Sequence, residues 1–504
     1  MFTRQQIYTL LIIISAALML GRILAVNRVD LQKLQSNRLD QIEPRLKEKE
    51  NRLRQTLHDK TQIHAELEKT RQNLIRDAQL ELPVFSANDR SRWDTIRVLV
   101  EPEMRVHNAE GKTLWYAIDK AQNVKGWDTI DMVKHDLAEP GQAHLYSSKP
   151  PLLPTVLAIP YAVIYWGSSQ KISLETEPYL VVRVVLVLCN LIPLLFCWML
   201  LARLIERFGQ TDWGRVFSAT FVCFGTFLST FVITLNNHLP AVFCITVAFY
   251  SAIRILFDNE TRWRYYFTAG FFGAFAAACE LPALSFCVFL GALLLWYRSR
   301  QTLLGYVPAA VIVAAAFFAT NYIAHQTFIP AYGHQSWYIF EYERGGKVRD
   351  SYWKNPVGID RGEESRRNYV FHSTVGHHGL FSLTPVYLLS FAGLGFWIFD
   401  RRYRNVALMI LAMSLIVFTF WMGQAQPNRN YGGMTSALRW MFWFVPLWSV
   451  PLVTAADWFG KYRWGRCFAI LLLAASVMSA AYPIWNPWTH PWIYQMLNEF
   501  SPAS

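Results

Sequence analysis

Apolar residues in this chain gather in long unbroken runs separated by polar loops, the pattern of membrane-crossing helices rather than of a soluble fold. Such runs lie at 6–26 and, after a long polar interval, at about 152–168, 179–201, 215–235, 239–257, 265–279, 281–297, 303–323, 380–399, 405–423, 437–456 and 465–482. The pattern predicts an all-α polytopic membrane protein, a bundle of about 11–13 transmembrane helices with external loops. The first run follows a short head carrying Arg4, and Leu24-Ala25-Val26-Asn27 makes a poor cleavage site. It reads as an uncleaved anchor. Pro154 and Pro160 fall in the run at 152–168, which suits a re-entrant or interfacial helix better than a full crossing.

Polar stretches punctuate the series. Residues 27–82 are charged and helix-favouring; Leu39, Leu46, Leu53, Leu67 and Leu74 repeat at heptad spacing, with Lys60 interrupting. The companion row of Ile42, Lys49, Thr56, Ile63 and Thr70 is too polar for a tight seam. A long surface helix or weak coiled coil is expected, serving as spacer or as the contact for a coiled-coil partner, and ended by Pro83. Residues 83–150 form a first external loop with a short helical pattern over 95–100; most of its Asp119, Asp128, Asp131 and Asp136 read as solvated turn residues. The chain thus divides into an anchor (1–26), a coiled-coil-like insert (27–82), the first external loop (83–150), a transmembrane core (151–323), a large external loop (324–379), C-terminal transmembrane helices (380–485) and a tail (486–504).

Composition agrees: 53% of the 504 residues are hydrophobic and only 17% charged, too apolar for an ordinary soluble enzyme. The net charge of +12 does not imply a nucleic-acid partner, because no basic–aromatic recognition motif accompanies it. Much of the excess sits in short loops at Arg203/Arg207, Arg262/Arg264, Arg298/Arg300, Arg401/Arg402/Arg404 and Lys461/Arg463/Arg466, where it marks the cytoplasmic side. These loops fit one alternating threading that puts 236–238, Glu280, 324–379 and 424–436 outside. With the N-terminus inside and 152–168 not crossing, 27–150 lies outside too. Charges flanking the anchor, Arg4 before it and Arg22, Arg28 and Lys33 after it, point mildly the other way. All seven cysteines fall in or beside apolar runs, so no disulfide framework or CxxC metal signature is expected. Walker, GxGxxG and HExxH motifs are absent.

Several residues carry candidate chemistry. His144-Leu145-Tyr146-Ser147-Ser148-Lys149-Pro150-Pro151 sets a lysine and two prolines at the mouth of an apolar run. Proline suits the first turn of a helix and would hold the Lys149 ammonium at the membrane boundary, within reach of an anionic headgroup; snorkelling is the plainer reading. Arg183, inside Val-Val-Arg-Val-Val, is costly unless it faces protein, water or an anion. Glu280 marks an outer turn between helices, with a role in a cavity as the alternative. Asn237 and His238 share an outer helix end with Pro240. His372, His377 and His378 cluster without a carboxylate at ligand spacing, which favours substrate or phosphate contacts over a metal. Tyr332, Trp337, Tyr338, Tyr342 and Tyr352 suit either sugar stacking or an interfacial belt. Arg429, Tyr431 and Arg439 lie on the outer side without an assigned role.

Asp89-Arg90-Ser91-Arg92-Trp93, Ser148-Lys149-Pro150-Pro151, Arg183 and Leu235-Asn236-Asn237-His238-Leu239-Pro240 follow one another in an order that resembles superfamily C (GT-C) polyprenyl-phosphate-dependent membrane glycosyltransferases. The nearest branch is that of the aminoarabinose transferases and protein O-mannosyltransferases, and the resemblance covers residues 84–300 in motif order. It implies a GT-C-like bundle in a cytoplasmic (inner) bacterial membrane with its active site facing outward. The implied reaction is an inverting transfer of a sugar from a polyprenyl-phosphate carrier to an acceptor hydroxyl on a lipid, glycan or protein. Asp89 would be the catalytic base, with Lys149, Arg183 and Arg92 binding the donor phosphate. Asn237, His238, Glu280, His377 and His378 would be substrate or metal contacts, a divalent metal being an option with no ligand set assigned. Arg90 stands where the family has glutamate, Ser148 where it has an acid before the lysine, and Asn237/His238 where a second acid is usual. Rival readings are a degenerate or non-catalytic scaffold and a glycolipid or polysaccharide transporter; the paired helix breaks of a transporter are not seen.

Overall fold

The computed structural model describes residues 3–26, 39–40, 42–57, 59–78, 84, 86–344 and 347–499. Arg28, Lys33 and Pro83, and with them parts of the 27–82 insert, lie outside the described residues.

The chain is an all-α polytopic membrane protein. Among the described residues, six helical stretches are long and apolar enough to cross a bilayer: Arg4–Leu24, Pro178–Phe208, His238–Asp258, Leu281–His325, Arg404–Met422 and Arg463–Ala481, with Leu152–Gly167 and Tyr387–Phe399 as shorter apolar helices. Leu281–His325, at 45 residues, would run about 68 Å as one helix, twice the hydrocarbon thickness. It folds back instead, and the Tyr306 hydroxyl donates to the Cys287 carbonyl at 2.5 Å. Among the described residues, strands are confined to three antiparallel hairpins, Val106–His107 with Thr113–Leu114, Met132–His135 with His144–Ser147, and Glu341–Arg344 with Lys347–Asp350.

Contacts sort the connections to two ends. At one, Arg4 pairs with Glu206 and Asp212, each at 2.8 Å, Arg207 pairs with Asp258, and Asp457 accepts from the backbone of Gln210 and Thr211. At the other, the 84–150 and 324–379 loops are joined by Arg344–Asp128 at 3.0 Å and by the Trp353 indole donating to the Ile130 carbonyl at 3.1 Å. The anchor's N-terminus therefore shares its end with the basic loops, and residues 84–150 stand at the opposite end.

Leu152–Gly167 does not change ends. Its first turn is tied by Thr155 to Tyr116 at 2.9 Å, its middle by Tyr161 donating to Glu101, and its last turn by Tyr165 donating to Glu103 at 3.2 Å. Beyond it, Glu175 meets Arg97 at 3.4 Å. Sixteen residues span about 24 Å, less than the hydrocarbon core, and both termini are tied to residues of the 84–150 segment, Tyr116 and Glu103. Val156, Ile159, Val163 and Trp166 are left exposed, the apolar face of an interfacial helix.

The structure departs from the sequence pattern in three places. The apolar run at 215–235 is α-helical only over Asp212–Phe224; beyond Gly225 the chain is irregular apart from a 3-10 turn, Phe231–Ile233. Irregular backbone survives at membrane depth only where protein satisfies it. Here Asn190 donates to the carbonyls of Val232 and Thr234 at 2.9 and 2.8 Å, and Asn236 to those of Phe231 and Thr234. The run at 437–456 likewise opens as a 3-10 turn, Arg439–Phe444, before the helix Val445–Phe459. The insert forms two helices, Ile42–Thr56 and Lys60–Ala78, joined by Arg71–Glu43 and Lys49–Glu66 ion pairs. That pairing is antiparallel, so the two helices form a hairpin rather than one long helix.

Candidate active site

Ser86 caps the helix Ala87–Val100, its hydroxyl accepting from the Asp89 N–H at 3.3 Å. The side chains that follow fan outward and fix the helix to its surroundings. Arg90 donates to the carbonyl of Asp128, and Ser91 donates to that of Asp131 at 2.5 Å and so accepts from the Ser147 hydroxyl at 2.7 Å. Arg92 donates to the Asn88 backbone at 3.0 Å and to Asn237 Oδ1.

Asp89 itself is 1% exposed, and neither carboxylate oxygen accepts a hydrogen bond. The Trp488 indole N–H stands beside it without closing a bond of ordinary geometry. Burial pushes the carboxyl up to about 7, against the opposing pull of Arg92 and Arg90, because desolvation disfavours the charged form. Arg92 is lowered by burial to about 10, so it stays cationic at neutral pH.

The second strand pair supplies Lys149. Its register sets Met132 opposite Ser147, and the next step brings the Ser148 N–H to the Asp131 carbonyl at 3.1 Å. Lys149 Nζ then meets Asp131 Oδ1 at 3.2 Å. Burial would raise the Asp131 carboxyl, yet Lys149 and the arginines hold it below the usual carboxylate range. Asp131 is therefore not a solvated turn residue but the counter-ion of Lys149.

Across the bundle, Asn237 Nδ2 donates to Glu280 Oε1 at 2.6 Å and to the Cys279 carbonyl at 3.1 Å. His238 Nδ1 lies against the same carboxylate. Arg439 Nη1 approaches His238 Nε2 at 2.8 Å, and the Arg439 guanidinium lies 5.3 Å over the Trp488 ring. The structure thus gathers Asp89, Arg92, Lys149, Asn237, His238 and Glu280 into one buried polar cluster. It adds Asp131, Arg439 and Trp488, which sequence reasoning did not place there. Neither 132–135 nor 144–147 alternates apolar with polar residues; the turn residues Pro140 and Gly141 between two short runs are the signal that could have exposed the hairpin and, with it, Asp131.

Other candidates lie apart. Arg183 donates to the Val26 carbonyl at 3.1 Å and lies 5.9 Å over the Tyr179 ring, beside the anchor helix; the cluster around Asp89 draws on other cations. His377 and His378 contact each other through their Nδ1 atoms; the His377 ring stacks on His372 at 3.8 Å and the His378 ring on Tyr431 at 4.8 Å. Burial lowers His377 to about 3. Among the described residues no group of three or more His, Cys, Asp or Glu is arranged to hold a metal ion. At Asp89 the neighbouring arginines would repel a divalent cation, and Arg439 already covers His238 Nε2. The site as built does not fit a resident metal.

No family profile matches the chain, and no curated protein does. Three chains of the Archaeoglobus fulgidus oligosaccharyltransferase are similar in shape. The archaeal oligosaccharyltransferase AglB in complex with an inhibitory peptide and a dolichol-phosphate is 14% identical with a TM-score of 0.36, covering 71% of this chain and 51% of its own. The complex with Zn and sulfate is 15% identical, TM-score 0.38, covering 83% and 56%. The apo form is 14% identical, TM-score 0.39, covering 82% and 54%. The chain spans about half the length of these proteins.

Proposed function

We propose that this chain is an integral membrane glycosyltransferase that moves a sugar from a polyprenyl-phosphate carrier to an acceptor hydroxyl at the outer membrane face. One observation carries the reading: Asp89 is buried, its two oxygens have no hydrogen-bond partner, and Arg92 and Arg439 lie within its electrostatic reach. A buried carboxylate poised near neutrality, with free lone pairs, is equipped to take a proton. The cations beside it suit a phosphate: a guanidinium offers a fork of donors, and the Lys149 ammonium a point charge.

In the proposed step the acceptor hydroxyl oxygen attacks the anomeric carbon as its proton passes to Asp89. The bond from that carbon to the carrier phosphate breaks, and its electron pair stays on the phosphate oxygen. Arg92, Arg439 and Lys149 stabilise the charge that develops there. Attack opposite the leaving group inverts the anomeric centre. Tyr332 and Tyr338 of the 324–379 loop stand near Glu280 and Asp131 respectively and offer aromatic faces to the sugar.

The test is incubation of the purified protein with radiolabelled polyprenyl-phosphate sugars. Wild type is expected to transfer or hydrolyse one of them and Asp89→Asn to do neither. An Asp89→Asn variant as active as wild type overturns the assignment. Turnover by neither protein, across hexosyl, pentosyl and acetamido-sugar donors, favours a scaffold.

A further inference from the structure

We infer that Glu280 is the positioning residue for both arginines of this site, an inference that rests on the glycosyltransferase reading above. Glu280 closes the helix Trp263–Cys279 and precedes the 3-10 turn Leu281–Ala283. Its side chain is 7% exposed. A carboxylate that merely finished a helix would bond backbone N–H groups; among the described residues, the partners of this one are the side chains of Asn237 and His238.

The direction of each bond follows from donor and acceptor inventory. A guanidinium only donates. Arg92 Nη2 therefore needs an acceptor and finds Asn237 Oδ1, which turns the Asn237 amide nitrogen toward Glu280 Oε1 at 2.6 Å. By the same rule His238 Nε2 must accept from Arg439 Nη1 at 2.8 Å. That assigns the ring proton to Nδ1, where it faces Glu280; the tautomer is fixed by its neighbours. Two arms thus diverge from one oxygen, Glu280 Oε1. One runs through Asn237 to Arg92 and the other through His238 to Arg439.

Both terminal guanidiniums lie in the field of Asp89. Arg439 is braced further by two bonds to the Gly432 carbonyl, at 3.0 and 2.8 Å. Gly432 has φ +95, a left-handed conformation that favours glycine. Glu280 sets where the arginines stand without itself touching the phosphate they bind, and its loss should loosen both together.

The test uses the full-length protein in detergent, titrated with farnesyl phosphate. Wild type is expected to bind, and Glu280→Gln to bind about tenfold or more weakly, the scale of a charge-assisted hydrogen bond. In an Arg92→Lys/Arg439→Lys background the same Glu280→Gln change should cost less than about twofold, because both arms then end on altered groups. A merely structural Glu280 would weaken both backgrounds equally, and that result overturns the inference, as does unaltered binding by Glu280→Gln. Should Glu280→Gln not fold, Asn237→Ala and His238→Ala cut one arm each. Each should then lose its effect only when the arginine of its own arm is also changed, and losses that simply add again overturn it. If wild type itself ignores farnesyl phosphate, it is the glycosyltransferase reading that fails, and this inference with it.

Discussion

Replacing Asp89 with asparagine should abolish transfer and at the same time stabilise the protein, increasingly so as pH rises. Asparagine keeps the volume of the side chain and cannot ionise. In the folded protein the Asp89 carboxyl rises from 3.8 to about 7. At about 1.4 kcal/mol per pH unit, ionising it in place costs about 4 kcal/mol of folding stability. The sign follows from proton counting. Between those two values the folded state holds more protons than the unfolded state, so the contribution is fully favourable below 3.8 and lost as pH rises through about 7. About 2–3 kcal/mol of the loss falls between pH 5 and pH 8. The assay is the difference in thermal unfolding midpoint between Asp89→Asn and wild type in one detergent, read at pH 5 and pH 8. A difference that does not grow in the variant's favour at the higher pH refutes the argument that Asp89 is held against its own desolvation. Wild-type turnover should climb over the same interval as the base deprotonates.

Other consequences are equally direct. Arg97 and Glu101 pair at 2.9 Å with both side chains at 0% exposure, so Glu101→Gln should cost about 3 kcal/mol by leaving a buried guanidinium short of its partner; unfolding in mixed micelles measures it, and a loss below about 1 kcal/mol would contradict the pairing. Chelation with EDTA should leave both farnesyl phosphate binding and sugar transfer unchanged, since the cations of the site are side chains; a loss restored by a divalent ion would overturn that. In a background lacking Cys467, the exposed native thiol, Glu110→Cys should react with an impermeant maleimide on intact cells and Lys461→Cys should not. The reverse result would invert the threading.

The sequence displays the crossing segments plainly because a run of apolar residues has few other uses, and lysine and arginine in short loops mark one side. Local signals of this kind put Asn237 and Glu280 on one side of the membrane and leave the side of Asp89 and Lys149 to whether 152–168 crosses; the structure brings all four into a single network. Partnerships made at long range are another matter. Arg439 lies 201 positions from His238, and nothing adjacent to it in the chain announces the contact. Asp131 resembles any loop aspartate until the hairpin register sets it beside Lys149. Arg183 is conspicuous for the apolar residues around it, yet it is met by the end of the anchor helix at Val26. The irregular stretch after Gly225 is apolar enough to read as helix, and distant side chains spending their donors on its carbonyls, Asn190 and Arg22 together with the nearby Asn236, explain why it need not be one.

Because Leu152–Gly167 begins and ends at the same end of the bundle, the whole segment from 84 to 177 is neutral to the parity of the chain's passages. With no crossing between them, Arg4–Leu24 and Pro178–Phe208 bring the polypeptide back to its starting end at Arg203 and Arg207. Sequence change in that segment can therefore remodel the chemistry near Asp89 and Lys149 without inverting any later helix, whose orientation is governed by the basic loops that follow.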